Sequence, residues 1–143
     1  MTQAKNIHII DLSENLLDRL SIIKLIPNYI LSKGVNRDLI KKTYPDAKFV
    51  KEGRVDLVLG IIEFSTESDL AELLTLWKKR IKSDGLLLFS LIGVGIDILD
   101  VGDFLLWLGF VDVVLDREDD AIFAHAFGPK EINVKINQIR RAN

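Results

Sequence analysis

Two near-continuous apolar runs, Val55–Ile62 and Leu86–Ile92, flank a stretch of helical periodicity in which Leu70, Leu73, Leu74, Trp77 and Ile81 share one stripe. Apolar runs of that length suit strands buried on both faces, which are typical of parallel sheets covered by helices. A strand–helix–strand order of this kind constrains the chain more than any other feature. It predicts an α/β protein with a mostly parallel sheet and helices on both faces.

The remaining punctuation fits that frame. From Ser13, SENLLDRLSIIKL places Leu16, Leu17, Leu20 and Ile23 on one stripe, with Ser13 as a cap and Pro27 as the stop. Tyr29–Leu31 reads as a short buried strand, Asn36–Tyr44 as a helix stopped by Pro45, and Ala47–Val50 as another short strand. Ser83-Asp84-Gly85 reads as a turn. Asp100–Leu108 reads as a helix closed by Gly109. Phe110–Leu115 and Ala121–Phe127 then form a hairpin around the acidic turn 116–120, and Asn6–Ile10 could be a strand of its own. One domain over residues 1–130 is expected, followed by a tail, 131–143.

Composition narrows the function. A chain of 143 residues, 48% hydrophobic, suits one domain with a sizeable core. Its net charge of −2 and lack of a basic stripe argue against nucleic acid. Without cysteine and with only two histidines, thiolate chemistry, disulfides and transition-metal sites are not expected. The start lacks the layout of a signal peptide, and the uncharged run Gly85–Ile96 is too short to cross a bilayer. A cytoplasmic protein with no membrane partner is the expectation.

The wording of the chain resembles one family. LLDRLSIIKLIPNYIL followed by RDLIKKTYPDAKFV, then KSDGLLLFSLIG, IDILDVGDFLLWLGFVDVVLD and IFAHAFGPK, is similar in order to the BioC family, the malonyl-acyl-carrier-protein O-methyltransferases of biotin synthesis. KSDGLLLFSLIG resembles that family's K-P-G-G-L-L-L-F-S-x-x-G. The ending resembles its Y-x-H-A-W-G-P. These matches cover most of residues 16–130. The resemblance implies a Rossmann-like fold of S-adenosylmethionine (SAM)-dependent methyltransferases with a C-terminal antiparallel hairpin.

The departures from the family matter as much. Its first turn resembles D-L-G-C-G-x-G, whose acid falls here on Ser32, whose first glycine falls on Gly34, and whose later glycines fall on Asn36 and Asp38. Ser32, Gly34 and Asn36 are the candidate cofactor-contacting residues, in degenerate form. After Val50 the chain passes through KEGR directly into VDLVLG, leaving Glu52 as the acid nearest the ribose position. About 40 residues of a second and third strand region are missing, judged from the usual spacing of such units. The family's S-N-L-A-L-Q-W appears as Gly60–Thr66, with its polar groups mostly replaced.

The expectation is therefore a catalytically degenerate methyltransferase-like protein with no cofactor and no catalytic residue. It would act as a homodimer or hetero-partner through an uncovered sheet edge. The alternative is a minimal SAM-dependent enzyme acting on a malonyl-thioester carboxylate. A third reading is an anion site built on Lys33 and Arg37, although one glycine is a weak signal and an ordinary strand-to-helix turn explains it. His125 reads as structural, because methyl transfer to a carboxylate needs no general base. Asp97, Asp100, Asp103 and Asp112 lack the spacing of a calcium loop, and Asp100 or Asp103 suits a helix start. Trp77, Trp107, Phe104 and Phe110 are expected mostly in the core, an exposed aromatic pair being the mark of a partner surface.

Overall fold

The computed structural model describes residues 2–64, 66–93, 95–118 and 120–129. Its elements run α1 (Thr2–Ile23), β1 (Tyr29–Lys33), α2 (Arg37–Thr43), β2 (Lys48–Phe49), β3 (Val55–Glu63), α3 (Glu67–Arg80), β4 (Ile81–Ile92), α4 (Ile98–Leu108), β5 (Val111–Glu118) and β6 (Ala121–Phe127). One six-stranded sheet has the order β2-β1-β3-β4-β6-β5. The first four strands are parallel, and β6 runs antiparallel to both β4 and β5. The expected fold class stands: a mostly parallel sheet with a C-terminal antiparallel hairpin. No described residue adds a strand outside β2. The tail, residues 131–143, lies outside the described residues.

Each face of the sheet carries its own core. Leu16 and Leu20 of α1 and Ile40 of α2 pack with Ile30, Leu57, Leu59, Leu86 and Leu88 on one side. Leu74 and Trp77 of α3 and Leu105 of α4 pack with Val58, Leu87, Phe89 and Ile122 on the other. The alternation along β3 and β4 thus sends successive apolar residues to opposite cores. At Gly60 the strand lies so close to α3 that a Cβ would come within 2.5 Å of the Trp77 ring.

Five sequence expectations are corrected. Asn6–Ile10 is not a strand; it belongs to α1, which starts at Thr2 and packs on a face of the sheet rather than along its edge. Ser13 is consequently not a cap but a mid-helix residue, fully buried. Ser83-Asp84-Gly85 is not a turn before a strand. It is an irregularity within β4, where the partner of Val55 is Ile81 but the partner of Leu57 is already Leu86, and Asp84 takes a φ of 63°. β5 continues past Leu115 to Glu118, paired with β6 through Asp116–Phe123, Arg117–Ile122 and Glu118–Ala121, and Arg19 of α1 bonds both Asp116 (2.9 Å) and Glu118 (3.0 Å). α1 itself ends when Lys24 turns left-handed (φ 64°), three residues before Pro27.

At the far edge, β2 is only two residues long and pairs with β1 through Tyr29–Lys48 and Ile30–Phe49. The guanidinium of Arg37 lies 4.3 Å from the Phe49 ring centroid, with the Lys41 ammonium at 6.0 Å. A short edge strand flanked by cations is a poor template for further pairing. The segment joining β2 to β3 is tied to α3, where Arg80 donates to the carbonyls of Val50 and Gly53.

No described helix is long and apolar enough to cross a membrane.

Candidate functional site

In open α/β sheets the binding crevice lies at the carboxyl ends of the strands, where the strand order reverses. Here the chain leaves β1 toward β2 on one side and returns to β3 on the other, so the crevice falls between Lys33 and Glu63. The turn that opens α2 forms one wall. Ser32, half-buried, is still inside β1 opposite Leu59. Gly34 has a φ of 77°, and a Cβ there would stand 2.6 Å from the carbonyl oxygen of Ile61. Only glycine meets both demands.

Val35 then buries its side chain in the α1 core, and Asn36 caps α2. The Asn36 Oδ1 accepts the Leu39 N–H at 3.1 Å, and its own N–H donates to Ser13 Oγ at 3.0 Å. Asn36 has a φ of −65° and is in extended conformation, so it does not reproduce a left-handed glycine. Asp38 is exposed in the first turn of α2, where a carboxylate suits the helix dipole. The sequence set Ser32, Gly34 and Asn36 close together; in the structure Ser32 lies in β1, Gly34 in the turn and Asn36 at the cap of α2. Ser13, which comes from another helix, left no such sign in the sequence.

Across the crevice, a cavity of about 400 Å³ is lined by Lys33, Phe64, Leu73 and Leu76, with Glu63, Asp69 and Glu72. One cation thus faces three carboxylates. Arg37 is not part of this lining; it stacks on Phe49 at the sheet edge. The two basic residues of the anion-site reading are therefore separated, and one of them sits among negative charge.

A second cavity of about 260 Å³ opens on the other side of Phe64, between α3 and α4. Leu70, Leu74, Ile96, Val101 and Phe104 make it largely apolar. Asp97 and Asp100 also line it. Asp97, not Asp100 or Asp103, is the cap of α4: its Oδ1 accepts the Leu99 N–H at 2.9 Å, and Asp100 sits in the first turn. Among the described residues no acidic or histidine cluster could hold a metal.

His125 lies away from both cavities, in β6 opposite Leu88 and Val114. Burial lowers its pKa, the nearby Arg19 lowers it further, and Asp116 opposes them. Of the four aromatics, Trp77 and Phe110 are core, but Trp107 is 77% exposed and stacks on Phe104 at 5.7 Å.

This arrangement defines the class I SAM-dependent methyltransferase fold, and solved structures with that fold superpose on the chain. A candidate O-methyltransferase from Nostoc punctiforme PCC 73102 matches with a TM-score of 0.63 at 11% identity, over 82% of this chain and 56% of its own. An O-methyltransferase family protein from Burkholderia thailandensis matches at 0.60 and 11%, over 90% and 60%. Human N-acetylserotonin methyltransferase, solved in complex with SAM, matches at 0.56 and 11%, over 73% and 48%. The chain therefore spans only about half of the length of these three. No family model matches the sequence, and no curated protein does.

Proposed function

We propose that this chain is a methyltransferase-fold protein that has lost SAM handling and acts by binding, with its motif order placing it beside the biotin-pathway BioC enzymes. The observation that carries this reading is the Ser13–Asn36 hydrogen bond. In a cofactor turn, backbone N–H groups must be left for the ligand. Here one of them is taken by a buried hydroxyl of α1. Two further features weigh against a SAM site. β2 stops at Phe49, and Glu52 is exposed in the bend beyond it rather than at a strand end.

The second reading is a minimal SAM-dependent enzyme acting on a malonyl-thioester carboxylate. The apolar cavity beside Phe64 favours it, since an acyl chain needs such a lining. Calorimetric titration of the full chain with SAM separates the two. No heat and no thermal shift at millimolar SAM is the expected result. A Kd tighter than about 100 μM, roughly −5.5 kcal/mol, would remove the binding-protein reading. Under that reading the protein works as a dimer or as companion to an active enzyme or carrier protein, in the cytoplasm.

A further inference from the structure

The cavity of about 260 Å³ between α3 and α4 combines an apolar interior with an acidic mouth. Leu74, Ile96 and Val101 are its buried part, whereas Asp97 and Asp100 are exposed. Phe64 is held in place as one wall. Its N–H donates to the Ile92 carbonyl at 2.8 Å, and a Cβ on Gly93 would stand 3.0 Å from the Phe64 Cβ. Phe104 also lines the cavity and stacks on Trp107 at 5.7 Å. A preformed apolar cavity with a few convergent polar groups is the usual form of a small-molecule site. This one is smaller than the roughly 300–1,000 Å³ of drug-sized sites, so its ligand is small.

The mouth sets the sign of the ligand's charge. The start of α4 contributes about half a positive charge through the helix dipole. Asp97 at the cap and Asp100 in the first turn bring two full negative charges to the same place. No lysine or arginine is among the described residues lining the cavity, and Arg117 donates to the Ile96 carbonyl at 3.0 Å from outside that lining. Even with Arg117 counted, the balance at the mouth is negative. A carboxylate is repelled there and a protonated amine is attracted.

We propose that this cavity is a binding site for a small apolar primary amine, its hydrocarbon body against Phe64, Leu74, Ile96 and Phe104 and its ammonium beside Asp97 and Asp100. A ligand with a free carboxylate at that mouth meets like charge. The site does not depend on whether SAM binds, and its failure would leave the SAM titration standing.

Titration of the isotope-labelled full chain with hexylamine and with hexanoate, read by backbone amide chemical shifts at low salt and neutral pH, tests this. Expected are saturating shifts at residues 70–74 and 95–104. Hexylamine should bind about tenfold more tightly than hexanoate, the difference shrinking as salt is added. Trp107 emission, coupled to the cavity through Phe104, should change with the same midpoint. The D97N/D100N variant, in which asparagine keeps the cap of α4, should bind both probes equally. Ala71→Leu places a larger side chain in the lining and should abolish both titrations with the thermal midpoint unchanged. Hexanoate binding as tightly as hexylamine overturns the proposal. So do shifts that never saturate or that fall outside the cavity, and a D97N/D100N variant that keeps the full preference.

Discussion

Ser13 Oγ accepts the backbone N–H of Asn36 at 3.0 Å, joining the middle of α1 to the turn after β1. Ser13 is fully buried and Asn36 partly so. Replacing Ser13 with Ala leaves a partly buried donor unpaired, so Ser13→Ala should cost about 1 kcal/mol. Urea unfolding monitored by circular dichroism measures this. A variant as stable as the parent would remove the bond as a structural tie.

Gly34→Ala combines a φ of 77° with a Cβ 2.6 Å from a backbone oxygen that cannot step aside. The expected loss is at least about 1–3 kcal/mol of strain, although the position is exposed. This loss should appear in the same unfolding experiment without any ligand. An unchanged midpoint would mean that the glycine serves something other than the turn.

Ser90 points the other way. Its hydroxyl is fully buried in β4 and has no hydrogen-bond partner among the described residues. Ser90→Ala removes an unsatisfied group from an apolar setting and should be neutral or stabilising by up to about 1 kcal/mol. A clear drop in thermal midpoint would point to a contact that the static structure does not hold.

His125 makes stability depend on acidity. Burial is the main cause of its lowered pKa, Arg19 adds to it, and Asp116 works against both. The unfolded chain therefore binds the proton more readily than the folded one. Stability from this site is complete above the unfolded value of about 6.5 and declines as pH falls below it. A series of melts from neutral to mildly acidic pH should show that decline, and His125→Gln should flatten it. An identical slope in the variant would assign the acid sensitivity elsewhere.

The central strands were legible because both their faces are buried, so Val55–Ile62 and Leu86–Ile92 leave no ambiguity of period. α1 was harder. The isoleucines near its start looked strand-like, yet Ile10 is 41% exposed and serves no sheet. β5 was read too short because its last residues are acidic, yet they pair with β6 through Asp116–Phe123 and Glu118–Ala121, and Arg19, about a hundred positions away in sequence, meets their charge. The candidate site divides in the same way. Ser32, Gly34 and Asn36 fall within five consecutive residues and are visible to a local pattern. Ser13, Asp69 and Glu72 arrive from α1 and α3, and no spacing rule links them to Lys33.

The narrow edge of the sheet has a kinetic consequence. β1 and β3 pair directly from Ile30–Leu57 to Lys33–Gly60, with only residues 34–54 between them. A crossover of 21 residues (34–54) is an ordinary length for parallel neighbours, which need about a dozen or more, and closure entropy grows only slowly with loop length. The central pairing joins Ile30 to Leu57 across a segment that forms its own helix, α2, and its own strand, β2, which favours its formation early in folding. Ile30→Val should therefore slow the refolding limb of a chevron more than it speeds unfolding, while a change at the β5 edge such as Val114→Ala should do the reverse.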